Sequence, residues 1–149
     1  MKRTSLRRHE CPVARALDSI GDWWSLLIVR DAFDGMRRFG EFQKSLRIAK
    51  NILAARLGQL VADGILELGP STDGSRYHEY RLTAKGQDLF PVIVALRQWG
   101  EAYFFRKNEA HSVLVDRRKQ QPVQKMRVLS KEGKTLVAAD TVVKKVRGL

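Results

Sequence analysis

The side chains able to do chemistry are few and scattered. One cysteine, Cys11, and three histidines, His9, His78 and His111, supply every thiol and imidazole in the 149-residue chain. The histidines fall on separate segments, without the short spacings that bring imidazoles to one metal ion. No Gly-x-Ser-x-Gly elbow, phosphate-cradling glycine loop or singled-out carboxylate pair occurs. Neither catalysis nor a cofactor is expected. Cys11 precedes Pro12 at a helix start, near Arg7, Arg8 and His9, where the helix dipole and positive charge favour a thiolate. The alternative is an inert small residue. With no second cysteine, a thiol switch would need alkylation, a small-thiol adduct or Cys11 of another copy.

A formal net charge of +12 calls for a polyanionic partner, but DNA, RNA and an acidic membrane surface satisfy it equally. The distribution says more. Residues 1–10 hold four Lys/Arg against one Glu, and residues 106–149 hold twelve against four acids, so the centre is near neutral. Within that centre, Arg37, Arg38, Lys44, Arg47, Lys50 and Arg56 face Glu41 alone between residues 36 and 57. No run approaches the roughly 20 apolar residues that span a bilayer, and the N-terminus lacks the apolar core of a signal peptide. A cytoplasmic protein with no membrane partner is expected.

The elements that must carry this charge follow from periodicity and punctuation. Pro12 suits a first helical position, so residues 13–20 read as a short helix stopped by Gly21. Asp22 caps a helix over 23–33 that is apolar on most of its circumference, which predicts burial. MRRF, at 36–39, could be a minimal strand. Residues 40–46 form a short helix, and RIAK turns into a second helix over 51–64, a helix-turn-helix in outline. Leu53, Leu57 and Leu60 define its buried stripe, which turns Asn51, Ala54, Ala55, Gly58 and Ala62 outward with Gln59 beside them. Runs 65–70 and 76–82, joined by an Asp73-Gly74 turn, form a hairpin wing. Thr83 caps a long helix over 84–105 that Pro91 kinks or breaks near its start. Beyond it, residues 112–116, 122–129, 135–140 and 141–147 read as a two- to four-stranded appendage.

In that frame Arg37, Arg38, Lys44, Arg47 and Lys50 are placed to contact phosphates, the alternative being a solvated surface. Asn51 can read an adenine edge, contact the backbone or cap the turn. Ala54 and Ala55 can touch thymine methyls or simply allow close approach. Gln59 joins this face. Arg76 at the wing tip suits a narrow minor groove. For Arg56, an ion pair with a nearby carboxylate competes with phosphate.

The ordered fragments CPVARALDSIG, WSLLIVRDAFDGMRRFGEF, LAARLGQLVADGIL, YRLTAKGQDLFPV and LRQWG together resemble the HxlR family of bacterial winged helix-turn-helix regulators over about residues 11–105. The resemblance implies a mainly α fold with a β-hairpin wing, followed by a small β-rich C-terminal extension. It divides the chain into a basic arm (1–10), a DNA-binding and dimerisation domain (11–105) and the basic extension (106–149). It also implies a homodimer on double-stranded DNA, joined through the first and last helices, here Val13, Leu17, Leu96, Trp99, Tyr103 and Phe104. The surplus of aromatics on the last helix agrees with an interface. Some members sense small electrophiles or oxidants through a cysteine at the position of Cys11. Ala49, Ala54, Ala55 and Gly58 depart from the side chains many relatives carry there, so no operator sequence transfers. A winged protein-interaction or RNA-binding module is the competing function.

Overall fold

Capping and burial set each element of the computed structural model, which describes residues 3–146. The expected arm (1–10) and last strand-like piece (141–147) therefore extend slightly outside the described residues. Helix α1 (Pro12–Ile20) starts on its proline, whose missing N–H costs nothing in a first turn. Asp22 caps α2 (Trp23–Phe33) by accepting from the amides of Trp24 and Ser25, each at 3.0 Å. Such a cap contributes about 1 kcal/mol. Burial around α2 is less complete than its composition suggests. Ser25, Ile28, Val29 and Asp31 are buried, while Trp23 is 86% exposed. Its apolar circumference exceeds what one neighbouring layer can cover.

Helix α3 (Phe39–Leu46) begins with the Glu41 carboxylate accepting from the Arg38 amide at 3.0 Å. It ends at Arg47, whose φ of 51° puts a non-glycine residue in the left-handed region and turns the chain sharply. After that turn comes α4 (Lys50–Ala62). Leu53, Leu57 and Leu60 are fully buried in one core with Ile28, Val29 and Phe42, which is the stripe their spacing predicts.

The wing is an antiparallel hairpin, β1 (Leu66–Pro70) with β2 (His78–Leu82), in register from Leu66↔Leu82 to Pro70↔His78. Its second strand starts at His78 rather than at residue 76, leaving Arg76 and Tyr77 in the loop. MRRF is not a strand. Instead, the Tyr80 amide donates to the Arg37 carbonyl at 2.7 Å, which fastens β2 to the approach of α3.

Thr83 caps α5 (Ala84–Gln87) through the Gly86 amide. Gly86 is buried where a Cβ would stand 2.2 Å from the Ile65 carbonyl oxygen, so only glycine lets α5 close on the base of the wing. The expected single helix over 84–105 is two: α6 (Phe90–Tyr103) starts afresh, with Pro91 in its first turn where proline is tolerated.

One compact unit ends at Ile93 and a second begins at Val94, inside α6, whereas the sequence reading put the change of character at 105–106. In the second unit Arg97 donates to Ser112, and the Gln98 side chain bridges the Gln124 carbonyl and the Met126 amide. Strands β3 (Val128–Leu129) and β4 (Thr135–Leu136) pair antiparallel, and Val115 bridges Pro122. Residues 141–146 form no strand. Among the described residues, no helix is long and apolar enough to cross a membrane.

Candidate nucleic-acid interface

Because its leucines are buried, α4 presents Lys50, Asn51, Ala54, Ala55 and Gly58 to solvent. A Cβ at Gly58 would meet nothing within 4 Å, so no contact inside the chain demands the glycine. Ala49 stands at the N-cap without a side-chain bond, leaving first-turn amides uncapped beside Asn51. Arg37, Lys44 and Arg47 are exposed, as is Arg76 in the wing loop. Among the described residues, none of these four cations or Lys50 has an ion-pair partner.

Two side chains on α4 are otherwise engaged. Gln59, half-buried, donates to Asp63 Oδ1 at 3.1 Å, while the Ser19 hydroxyl donates to the other oxygen at 2.6 Å. This separates Gln59 from the outward face its position in sequence suggested. Arg56 lies 3.5 Å from the Asp22 carboxylate, the ion-pair alternative left open by the sequence. Burial alone would raise the Asp22 pKa. The hydroxyl and amide of Ser25, the Arg56 charge and the Trp24 amide outweigh it and hold the carboxyl below its ordinary value.

Arg38 also has a different place from the one expected. Its guanidinium reaches across to the wing loop, donating to Ser71 and Ser75 at 3.2 Å each and pairing with Asp73. It also lies over the Tyr77 ring, 5.5 Å from the centroid. The Ser71 hydroxyl, the amide and hydroxyl of Ser75 and Arg38 together hold the Asp73 carboxyl well below the usual carboxylate range against a small opposing effect of burial. Beneath the loop, Glu79 accepts from the Thr72 amide at 3.3 Å, Ser71 at 3.1 Å and Arg81 at 3.1 Å. Burial pushes its pKa up, but Arg81, Thr72 and Ser71 prevail and lower it. Sequence reasoning missed this network because Arg38 and Asp73 are far apart in the chain. The local signals were Glu79 and Arg81, two apart and so on one face of a strand, and the Ser71, Asp73 and Ser75 spacing of a side-chain-capped turn.

The N-terminal segment folds back on α1. The Leu6 amide donates to Asp18 at 2.7 Å, and Arg7 reaches Asp18 at 3.7 Å and Asp63 at 3.5 Å. Arg7 is thus engaged by carboxylates rather than devoted to the thiol. Cys11, partly exposed, occupies the N-cap of α1, and its amide donates to His9 Nδ1 at 3.0 Å. Val13 and Leu17 are exposed on α1. In the second unit Leu96, Trp99, Tyr103 and Phe104 are exposed, with the Trp99 and Phe104 rings 5.2 Å apart. No group of three or more His, Cys, Asp or Glu among the described residues could hold a metal ion.

Residues 19–109, from the end of α1 through α6, match the model of the HxlR-like helix-turn-helix family. The chain belongs to this HxlR-like family. An HTH-type transcriptional regulator of Mycobacterium tuberculosis is 47% identical to this HxlR-like protein over 94 residues, covering 63% of the chain and 60% of the relative. The chain thus spans about three fifths of that curated relative's length. The crystal structure of PA1607, a candidate transcription factor, is 57% identical, covers 96% of this chain and 100% of its own, and superposes with a TM-score of 0.91. The reduced redox regulator HypR is 34% identical, covering 62% of this chain and 92% of its own, with a TM-score of 0.55. The first two are named for regulation of transcription, which is a non-enzymatic role, and the third for redox regulation, and winged helix-turn-helix regulators share the fold.

The wing network of this HxlR-like protein has a pH signature. Carboxyls whose pKa is lower folded than unfolded contribute stability that is complete above the ordinary value near about 4 and is lost as pH falls through the folded value. Wild type should therefore exceed Asp73→Asn in resistance to urea at neutral pH, and the gap should shrink only below about pH 4. Urea titrations of both proteins across that range check it. A gap that is absent at neutral pH, or constant in acid, would show that Asp73 does not hold the wing.

Proposed function

We propose that this chain is a sequence-specific transcription regulator that binds duplex DNA as a homodimer through α4 and the wing. The observation that carries the reading is the set of exposed cations Arg37, Lys44, Arg47, Lys50 and Arg76, without ion-pair partners among the described residues, around an α4 face of small side chains. Small outward residues let the helix backbone enter a major groove, and surrounding cations release counterions from phosphates. Asn51, at the amino end of that face, reads a base edge, with Ala54 and Ala55 against thymine methyls. Arg38 contributes by holding the wing, and Gln59 lies at the margin. The protein works in the cytoplasm, where the DNA is.

Phosphate and base contacts separate by experiment. Lys44→Ala should weaken binding to operator and random duplex alike and lower the salt slope by about one unit. Asn51→Ala should cost about 1–3 kcal/mol on the operator and relax preference at one base pair. Filter binding across salt concentrations, on DNA and on matched RNA, measures both. An unchanged slope removes Lys44 from the interface, and equal affinity for RNA favours the RNA-binding module instead.

Dimerisation uses the exposed apolar residues Val13 and Leu17 on α1 and Leu96, Trp99, Tyr103 and Phe104 on α6. Tyr103→Asp buries a charge in that interface, so sedimentation should show monomers, with operator affinity lost alongside. A persisting dimer would move the interface elsewhere.

A regulatory input through Cys11 draws support from its partial exposure and from the likeness to the redox regulator HypR. A small electrophile or oxidant that modifies the thiol at the start of α1 would shift the half-site spacing of a dimer joined there. Operator affinity measured before and after quinone or diamide should fall for wild type and stay level for Cys11→Ser. Equal affinity in both states of the wild type would leave Cys11 a small residue that starts a helix.

A further inference from the structure

A cleft of about 700 Å³ lies between the first turns of α3 and one face of the wing. That is the size at which small-molecule sites occur, about 300–1,000 Å³. Leu68 and Tyr80 are directly opposed across the hairpin, so both project to one face, with His78 two residues along on the same side. Tyr77 closes the loop end. Phe39, Gly40 and Lys44 supply the α3 wall. Leu68 is 48% exposed and Tyr77 68%, so large apolar groups stand open to water around a space of ligand size.

The polar groups at this cleft are unequally committed. Glu41 is occupied in capping α3 through the amides of Arg37 and Arg38. Arg38 is occupied by Asp73, Ser71 and Ser75. Lys44 remains, an ammonium with no ion-pair partner among the described residues. Gly40 adds no side chain, and the position of its absent Cβ is open space, so a ligand can approach α3 closely there. The Tyr80 phenol, its pKa raised by burial, stays neutral and can exchange hydrogen bonds with a ligand.

We propose that this cleft binds a planar aromatic acid, its ring between the α3 wall at Phe39 and Gly40 and the wing face of Leu68, Tyr77 and Tyr80, its carboxylate on Lys44. A sugar–phosphate segment of DNA is the other candidate occupant. It would satisfy Lys44 but leave a mostly carbon lining against a polar backbone, which favours the small acid. Binding has a consequence that rests on the function proposed above. The acid takes Lys44 away from phosphate and wedges between α3 and the wing, whose angle is otherwise set by the Tyr80–Arg37 hydrogen bond and the edge contact of Tyr80 with Phe42, 6.4 Å between centroids. An occupied cleft therefore weakens DNA binding.

The test begins on the 149-residue chain without DNA, so that it stands apart from the DNA-binding reading. 2-Naphthoate, titrated with amide chemical shifts as the readout, should bind saturably in the submillimolar range and move the resonances of Gly40, Lys44, Leu68 and Tyr77. Its uncharged amide and the Lys44→Ala variant should each bind at least about tenfold more weakly. Leu68→Glu, an exposed position whose new charge repels the acid, should abolish binding while the thermal melt stays that of a folded protein. No saturable binding, equal binding of the neutral amide, or undiminished binding by Leu68→Glu overturns the site. Loss of duplex affinity in Leu68→Glu, with no binding of naphthoate to wild type, assigns the cleft to DNA instead. Duplex affinity that saturating naphthoate leaves unchanged overturns the antagonism, and that result is distinct from a failure of wild type to bind DNA at all.

Discussion

Leu53, Leu57 and Leu60 are buried without residual exposure against Ile28, Val29 and Phe42, and that burial sets the rotation of α4 about its own axis. Each such leucine contributes about 1.5–3 kcal/mol by leaving water. Rolling the helix by one residue would turn it through about 100°, exposing the stripe and driving Asn51 or Arg56 toward the core. Polar ties of Arg56 to Asp22, and of Ser19 to the C-cap Asp63, add to this hold, whereas the helix's own sequence contributes little. Ala49 forms no side-chain cap, and Gly58 costs about 1 kcal/mol relative to alanine in a helix interior. What α4 can present to a partner is therefore decided from behind, by the residues that never meet it.

The wing is held by a different kind of force. Its hairpin has one well-buried apolar residue at its base, Leu66, and an exposed Leu68 further out, so apolar burial fades toward the tip. There the loop depends on carboxylates ringed by donors: Asp73 with Ser75 and Arg38, Glu79 with Thr72 and Arg81, and the single Ser71 hydroxyl proton within reach of either. Charge-assisted bonds of this kind are directional and position a loop more sharply than apolar contact does. Arg38 cannot serve fully as both a strut for the loop and a phosphate ligand. The loop has it, and the exposed Arg76 a few residues on is left to reach outward.

What could be read from the sequence follows the range of the interaction responsible. Asp22 as a cap, the leucine stripe of α4 and the break at Pro91 are each decided within a few residues, and the fold agrees with all three. Gln59 was within reach of a local reading too, because Asp63 stands at i+4 and holds its amide, a pairing that helical phase alone does not weigh. Arg38 is different, since its partners Ser71, Asp73 and Ser75 lie far along the chain. Composition overstated the burial of α2 for the same reason: an apolar run does not say how much neighbouring surface exists to cover Trp23. In the second unit the strand-like runs produced only two-residue pairings, because β-branched composition supplies propensity but not a partner strand.

The separation of charge is likewise a product of folding rather than of composition. The central region has nearly as many carboxylates as cations, yet the fold pairs them away from the helix-turn-helix surface. Asp18 and Asp63 engage Arg7, Asp22 engages Arg56, Asp31 engages Arg30, and Asp73 engages Arg38. Among the described residues, Arg37, Lys44, Arg47 and Lys50 receive none, although they crowd the two helices and the turn that joins them. With a screening length of about 8 Å at physiological salt, these neighbours repel one another in the isolated protein. That repulsion is tolerated because the core beneath is apolar and closely packed, and it is relieved when a polyanion lies across them. A set of carboxylates redistributed onto this surface would ease the repulsion and remove the reason for a polyanion to bind there.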